Sequence, residues 1–278
     1  MVYLFHNATQ RCSRLITEHY STSFSSAVRL LHEDLRNPIY NIYGFVRFAD
    51  EIVDSFHKYD RGALLAEFRE DTYAAIEKGI SLNPVLNSFQ ITVNTYRIEK
   101  SLIGSFFKSM EMDLQKQEFD KTLYEMYIYG SAEVVGLMCL RVFCEGDENR
   151  YEKLKPYARS LGSAFQKVNF LRDISSDYGD LDRRYFPGFE SDNFDNRMKR
   201  RIEEEITQEF KHAYEGIRLL PLKARFGVYV SYKYYWSLFR KIKGIQSSHI
   251  LVKRIRIPNY RKWMILARAG LKNQLKLI

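Results

Sequence analysis

Cysteine, glycine and proline are scarce in this chain, and each scarcity removes a class of structure. Three cysteines, Cys12, Cys139 and Cys144, stand at irregular spacing among 278 residues. An odd count with no CxxC pair argues against a disulfide framework and against a zinc site. With only 14 glycines and 6 prolines, turns are few and elements long, which points to helices. The phosphate-cradling loops are missing as well. No GxxxxGK[ST] occurs, and no two glycines are separated by one residue, which excludes GxGxxG. The six histidines (His6, His19, His32, His57, His212 and His249) give no HExxH or other metal spacing, and no GxSxG elbow appears. Residues 1–14 have neither an apolar core nor a cleavage site, so no signal peptide is expected. The most apolar run, Val134–Cys144, is interrupted by Arg141 and falls short of the ~20 residues that cross a bilayer. The expected setting is the reducing cytoplasm, with peripheral attachment to a membrane surface as the outer limit.

What is present is apolar and aromatic: 45% hydrophobic residues, including 20 Tyr and 19 Phe, enough for a sizeable core. The net charge of +9 is unevenly placed. Residues 240–278 carry 11 Lys plus Arg and no acid, so the rest of the chain comes to 9 less 11, or −2. A basic segment mixed with Ile, Leu, Trp and Tyr suits an anionic lipid surface or a nucleic acid; an ordinary helix with a solvated basic face has the same composition.

No linker or low-complexity stretch divides the chain, so a single domain over 1–278 is expected, with 240–278 as its basic C-terminal segment. Apolar residues recur at helical spacing almost throughout. The spacing predicts helices over 11–35, 40–56, 63–78, 84–117, 121–143, 152–177, 193–219 and 222–242. Asn37-Pro38 has the form of a cap followed by a proline at the first helical position. Residues 178–193 form the clearest loop, and 250–257 the one β-branched alternation.

Two carboxylate stripes carry the chemistry. Asp50 and Asp54 are four apart and share a helix face, with Arg47 one turn before them. Gln166, Asn169, Asp173 and Asp177 are spaced three, four and four, with Arg172 beside them. A lone DxxxD is ordinarily a solvated face. Here Phe45, Val46, Ile52 and Val53 flank one stripe and Val168, Phe170, Leu171 and Ile174 the other, so both helices are expected to be buried. Buried carboxylates cost several kcal/mol unless neutralised. A hard divalent cation neutralises them, and a donor set of carboxylate and amide oxygens favours magnesium, or manganese, over zinc. Arg47 and Arg172 add fixed charge for phosphate.

At this point a resemblance carries the reading further. Residues 20–54, YSTSFSSAVRLLHEDLRNPIYNIYGFVRFADEIVD, and 166–187, QKVNFLRDISSDYGDLDRRYFP, resemble the two signatures of the squalene/phytoene synthase family. Residues 127–138, YIYGSAEVVGLM, resemble the family's helix between them, and RIRIPNYRKW resembles the end of bacterial phytoene synthases. The resemblance implies an all-α, isoprenoid-synthase-type helical bundle around a central apolar cavity. It implies magnesium at Asp50, Asp54, Asn169, Asp173 and Asp177, with the four aspartates catalytic. It matches Ser21, Arg47, Gln166, Arg172 and Tyr185 to diphosphate or substrate contacts, and Phe24 and Tyr127 to the prenyl pocket. Tyr235 and Arg254 fall near two further substrate positions, at altered spacing. Glu133 departs from the family pattern, which has Gly after Ala132.

The implied activity is magnesium-dependent, head-to-head condensation of two geranylgeranyl diphosphates to phytoene, through a cyclopropyl diphosphate, with no NADPH. The reaction asks for aromatic faces around a travelling cation, for which Phe24, Tyr43, Phe45, Phe48 and Tyr127 are candidates. Two alternatives stand beside it. One is a squalene or dehydrosqualene synthase acting on farnesyl diphosphate. The other is a non-enzymatic relative, either an assembly factor, whose kind has typically lost the aspartates, or a nucleic-acid-binding protein resting on the basic tail. Prenyl diphosphates are the expected partners, an anionic membrane surface a peripheral one, and nucleic acid is not expected.

Overall fold

The computed structural model describes residues 2–115, 119–179, 185–188, 194–251 and 255–274, without the side chains of 176–179 and 259. All regular structure among the described residues is helical: α1 Val2–Tyr20, α2 Thr22–Val28, α3 Glu33–Ser55, α4 Arg61–Lys78, α5 Pro84–Tyr96, α6 Lys100–Asp113, α7 Lys121–Ile128, a π turn Tyr129–Glu133, α8 Val134–Cys144, α9 Glu148–Gly179, α10 Asn196–Leu219, α11 Leu222–Lys243, α12 Ser247–Ile250 and α13 Asn259–Gln274. The expected helical bundle is therefore present; in the β-branched alternation at 250–257, Ile250 ends a short helix and the described residues 255–257 are irregular.

Helix ends differ from the sequence reading where local chemistry overrides the pattern. Helix α3 begins at Glu33, so Asn37-Pro38 lies inside it and is not its cap. Glu33 and Asp34 supply the negative charge that a helix N-terminus attracts, and the backbone N–H of His32 is tied to the carbonyl of Lys223. The expected helix 84–117 is broken at Arg97, whose φ of 52° turns the chain between α5 and α6. Pro84 does open α5, behind an Asn83 cap.

The bundle is organised around α9. Helices α8 and α10 pack along it, while α1, α3 and α5 form a second layer joined to it through α8. Lys167 of α9 is buried and pairs with Glu205 and Glu209 of α10, the latter at 2.6 Å, and Ser163 donates to Glu209 at 2.7 Å. A buried lysine is tolerable only when neutralised in this way. In the second layer, Phe45 lies flat on Phe89 at 3.9 Å between centroids, with Phe68, Phe106 and Phe107 around it.

Taken through the π turn, the run Lys121–Cys144 has 24 residues and is apolar enough to cross a membrane by length and composition. This is longer than the run visible in the sequence, because the π turn keeps two helices nearly in line. Its most apolar stretch is 56% buried within the bundle, as befits a core helix. The π turn sits where α6 approaches most closely. A Cβ at Gly130 would lie 2.1 Å from the Ser109 hydroxyl and 2.3 Å from the Ser105 carbonyl. The Ser109 hydroxyl donates to the Tyr127 carbonyl at 3.2 Å, giving a partner to backbone that the wide turn disturbs.

Candidate active site

An elongated apolar cavity of about 270 Å³ runs between α2, α3, α8, α9, α10 and α11. Its direction is legible along α9, where Asn169, Gln166, Phe165, Gly162, Ala158 and Leu154 line it in turn. The wall is polar at Asn169 and apolar at Leu154. These two lie fifteen residues apart, about 22 Å at the helical rise. At the polar end stand Ser131, Tyr43 and Tyr235; Phe143 and Leu220 accompany Leu154 at the other.

Both carboxylate stripes continue outward from the polar end. Val46 of α3 and Asn169 of α9 line the cavity, and Asp50 and Asp173 each lie four residues beyond, one turn further on the same face. Each stripe has a tyrosine beside it at the rim. The Tyr235 hydroxyl donates to Asn169 Oδ1 at 3.2 Å, while Tyr43 feels the charges of Arg47 and Asp50 and bonds Ser21. Burial pushes the Tyr43 phenol up to about 12, so it is a neutral donor at physiological pH. Ser21 caps α2, accepting from the Phe24 N–H at 3.3 Å, and this cap aims the Phe24 ring onto Tyr43 at 4.7 Å. Gln166 reaches Ser131 at 3.4 Å, and Asn169 reaches Gln166 at 3.4 Å.

The arginines sit within the stripes. Arg47 faces Asp50 at 3.9 Å, pairs with Glu51, and lies over the Tyr20 ring at 4.4 Å; its buried Nε has no partner. Arg172 chelates Asp173, with Nη2 at 2.5 Å from Oδ2. Asp50 is held up at about 7, first by burial and then by the charge on Asp54, with Arg47 pulling the other way and Asp113 adding to the rise. Two carboxylates that raise one another's proton affinity in this way fit a hard divalent cation. Among the described residues no three His, Cys, Asp or Glu side chains converge into a complete site. A bound ion would therefore take its remaining ligands from phosphate oxygens and water, as magnesium commonly does. The Asp177 side chain and the whole of Arg254 lie outside the described residues.

Three expectations need correction. Tyr127 does not line the cavity. It is buried in an aromatic cluster with Phe119, Phe170 and Tyr185, and its hydroxyl donates to Asp113 at 2.7 Å. The π turn between Tyr127 and α8 gives the two stretches different faces. Phe45 and Phe48 belong to the phenylalanine core rather than to the cavity wall, because α3 turns that side toward α4 and α5. Phe24 and Tyr43 are the aromatic faces at the rim. Glu133 points away from the cavity and pairs with Arg159, while its neighbour Ala132 lines the wall. The departure at 133 is thus absorbed by an ion pair.

Asp113 is the site residue that sequence reasoning missed. It ends α6 two residues after Glu111, and its hydroxyl donors come from positions 127 and 185. Only the fold brings them together.

Comparison with known proteins agrees with this geometry. The family model described as squalene/phytoene synthase matches residues 17–261. A presqualene diphosphate synthase of Rhodopseudomonas palustris is 31% identical over 169 residues, covering 60% of this chain and 58% of that protein. The chloroplastic phytoene synthase of Narcissus pseudonarcissus is 27% identical over 262 residues, covering 87% of this chain and 61% of its own length. The chain thus spans less than two thirds of either relative. The phytoene synthase of Pseudescherichia vulneris is 27% identical over 255 residues, 82% of this chain and 80% of that one. Among solved structures, a dehydrosqualene synthase in complex with ligand superposes with a TM-score of 0.83 at 19% identity, covering 98% of both chains. A squalene synthase from Alicyclobacillus acidocaldarius gives 0.74, also at 19% identity, over 86% of this chain and 94% of that one.

Proposed function

The chain belongs to the squalene/phytoene synthase family, a prenyltransferase type, and from that premise we propose that it condenses two geranylgeranyl diphosphates head to head to phytoene, with magnesium. The observation that supports the chain length is the depth of the cavity. An extended chain advances about 1.2 Å per bond, judging from the ~3.6 Å reach of a three-bond peptide residue. A C20 prenyl chain, roughly 16 carbons end to end, then stretches to about 18 Å, and a C15 chain of roughly 12 carbons to about 13 Å. The ~22 Å between Asn169 and Leu154 takes the longer chain and would leave about two fifths empty with the shorter.

The division of labour follows from the placement of groups. Asp50, Asp54, Asn169, Asp173 and Asp177 would hold magnesium, which when bound neutralises charge on the departing diphosphate. Arg47 and Arg172, each resting on an aspartate, supply fixed positive charge to the same phosphates. Ser21 and Gln166 donate at the rim. The apolar wall excludes water, so an allylic cation formed there is not quenched by hydrolysis, and the stacked faces of Phe24 and Tyr43 stabilise it. Attack by the double bond of the second prenyl chain, with loss of one proton, closes the ring and gives the cyclopropyl diphosphate. Its ionisation, rearrangement and loss of a proton give the product with no reductant.

A second reading has an observation of its own. The presqualene diphosphate synthase at 31% identity favours farnesyl diphosphate. Product analysis by mass spectrometry separates the two. Purified protein receives each substrate, with and without magnesium and NADPH. Magnesium-dependent C40 hydrocarbon without NADPH is the expected result; only C30 product from farnesyl diphosphate would overturn the C20 assignment.

The same reading extends to a membrane surface as the source of greasy substrate. Tyr260, Trp263, Met264 and Leu271 share one exposed face of α13, with Trp263 71% exposed, and Arg261, Arg268 and Lys272 flank it. Such a face suits anionic lipid. Lys262 of the same helix reaches the Thr22 hydroxyl at 3.3 Å, one residue from Ser21, which sets α13 beside the polar end of the cavity.

A further inference from the structure

One hydroxyl on the cavity wall has a proton that no described residue accepts. Ser131 stands in the π turn and lines the cavity beside Gln166 and Asn169. The π turn is pressed against α9 there: a Cβ at Gly162 would lie 2.7 Å from the Ala132 carbonyl. Gln166 follows Gly162 by one turn, and its Nε2 donates to Ser131 Oγ at 3.4 Å. Gln166 Oε1 accepts from Asn169 Nδ2 at 3.4 Å, and Asn169 Oδ1 accepts from the Tyr235 hydroxyl at 3.2 Å. All four side chains line the cavity. The donors run in one direction, from Tyr235 at the rim to Ser131, so each bond polarises the next. Ser131 ends the chain as an acceptor, and among the described residues its own proton has no acceptor. From Ala132 to Phe143 every lining residue of the same run is apolar, so Ser131 is the innermost polar group on that wall.

We propose that Ser131 is a catalytic residue of the condensation: its hydroxyl donates to the oxygen that joins the prenyl chain to the diphosphate, and holds that oxygen as it departs. This rests on the prenyl-condensing reading above. A hydroxyl proton left without an acceptor in an apolar cavity is unfavourable, so the ligand must supply one. The prenyl chain is hydrocarbon and has none; the acceptors of a prenyl diphosphate are its phosphate oxygens. Depth selects among them. Along α9, Asp173, Asn169 and Gln166 step inward, with Gln166 three residues, about 4.5 Å, inside Asn169. A diphosphate neutralised at the stripes, with its chain in the cavity, turns its carbon-bearing oxygen inward toward this level. When that carbon–oxygen bond breaks, the electron pair stays on the oxygen and the allylic carbon is left positive. A hydrogen bond to that oxygen is therefore stronger in the transition state than in the bound substrate, which lowers the barrier. The serine proton stays on the serine, so the step needs no base. Gln166, by donating to Oγ, leaves the Ser131 O–H to point elsewhere.

Two measurements test the assignment, one independent of turnover. Ser131→Ala removes the donor and Ser131→Thr restores it. Single-turnover release of diphosphate should slow about tenfold or more in Ser131→Ala and recover to within about fivefold of wild type in Ser131→Thr, with both melting temperatures nearly unchanged. Because the contact is to the diphosphate, the Ser131→Ala loss should agree within about twofold between geranylgeranyl and farnesyl diphosphate. A loss that differs with chain length would mean that Ser131 only shapes the pocket, and a folded Ser131→Thr as slow as Ser131→Ala would show that the hydroxyl is not what matters; either overturns the assignment. The binding arm uses a geranylgeranyl diphosphate analogue saturated in its first isoprene unit, which cannot give an allylic cation, and its thiolo counterpart with sulfur, a weak acceptor, as the bridging atom. In calorimetric titrations with magnesium, Ser131→Ala should weaken the oxygen ligand about fivefold and the sulfur ligand by less than about twofold. Equal effects on the two, or none on either, would overturn the contact with the bridging oxygen. Absence of prenyl product from the wild type would instead refute the proposed function, and the titrations would still decide whether Ser131 meets that oxygen.

Discussion

Filling the cavity part-way down should change which prenyl chain the enzyme accepts, and Ala158→Phe is the substitution to make. Ala158 lines the wall eleven residues before Asn169, about 16 Å down the cavity. A phenyl ring there would cross the channel beyond the ~13 Å that a farnesyl chain needs and short of the ~18 Å of a geranylgeranyl chain. The excluded segment is the last isoprene unit. At ~0.8 kcal/mol per buried CH2, its five carbons are worth about 4 kcal/mol, or nearly a thousandfold in relative kcat/KM. A competition assay with both substrates, read by mass spectrometry, should show the C40 to C30 ratio falling at least about a hundredfold. Because the ring enters existing space, the stability loss should stay at or below the ~1–3 kcal/mol typical of overpacking. An Ala158→Phe enzyme that is folded and keeps wild-type kcat/KM for geranylgeranyl diphosphate would refute the idea that chain length is measured along α9.

The remaining predictions concern other parts of the same site. Asp50→Asn or Asp173→Asn should lower kcat by roughly a hundredfold or more while circular dichroism stays unchanged. Magnesium with inorganic diphosphate should raise the melting temperature of the wild type and not of these variants. Cys139 faces the cavity, and burial pushes its thiol up to about 12. At pH 8 only about one part in ten thousand is thiolate, so iodoacetamide labelling should be negligible and rise about tenfold per pH unit; fast labelling at pH 8 would contradict the burial. In liposome co-sedimentation the protein should favour anionic over neutral vesicles, and Trp263→Ser should weaken both. Equal partitioning between the two lipids would remove the electrostatic part of the α13 assignment.

The carboxylate stripes were legible because helical periodicity is local: Asp50 with Asp54, and Asn169 with Asp173, share a face whatever the rest of the fold does. The rim arginines, Phe24 and Ser21 came with the same signatures. What stayed hidden depends on contacts between distant segments. Asp113 gains its partners from residues 14 and 72 positions away. Tyr127 was assigned to the pocket by the family resemblance alone, and the π turn that re-aims it accompanies the close pass of Ser105 and Ser109 by Gly130. The helix start at Glu33 and the break at Arg97 were obscured for a related reason. The proline suggested a boundary that the acidic first turn had already set, and a lone positive φ has no periodic signature.

That π turn also divides one continuous helical run into two sectors that answer to different selective demands. Upstream of it, the chain must present Tyr127 to a carboxylate; downstream, it must present Ala132, Val135 and Cys139 to an apolar chain. Inserting a single residue into Tyr129–Glu133, wound as ordinary helix, would rotate one sector against the other by about 100°. No individual side-chain change in the run could misalign so many groups at once. Length variation here should therefore be far rarer than residue variation, and a designer wishing to widen the chamber has freedom in what each position holds but very little in how many positions there are.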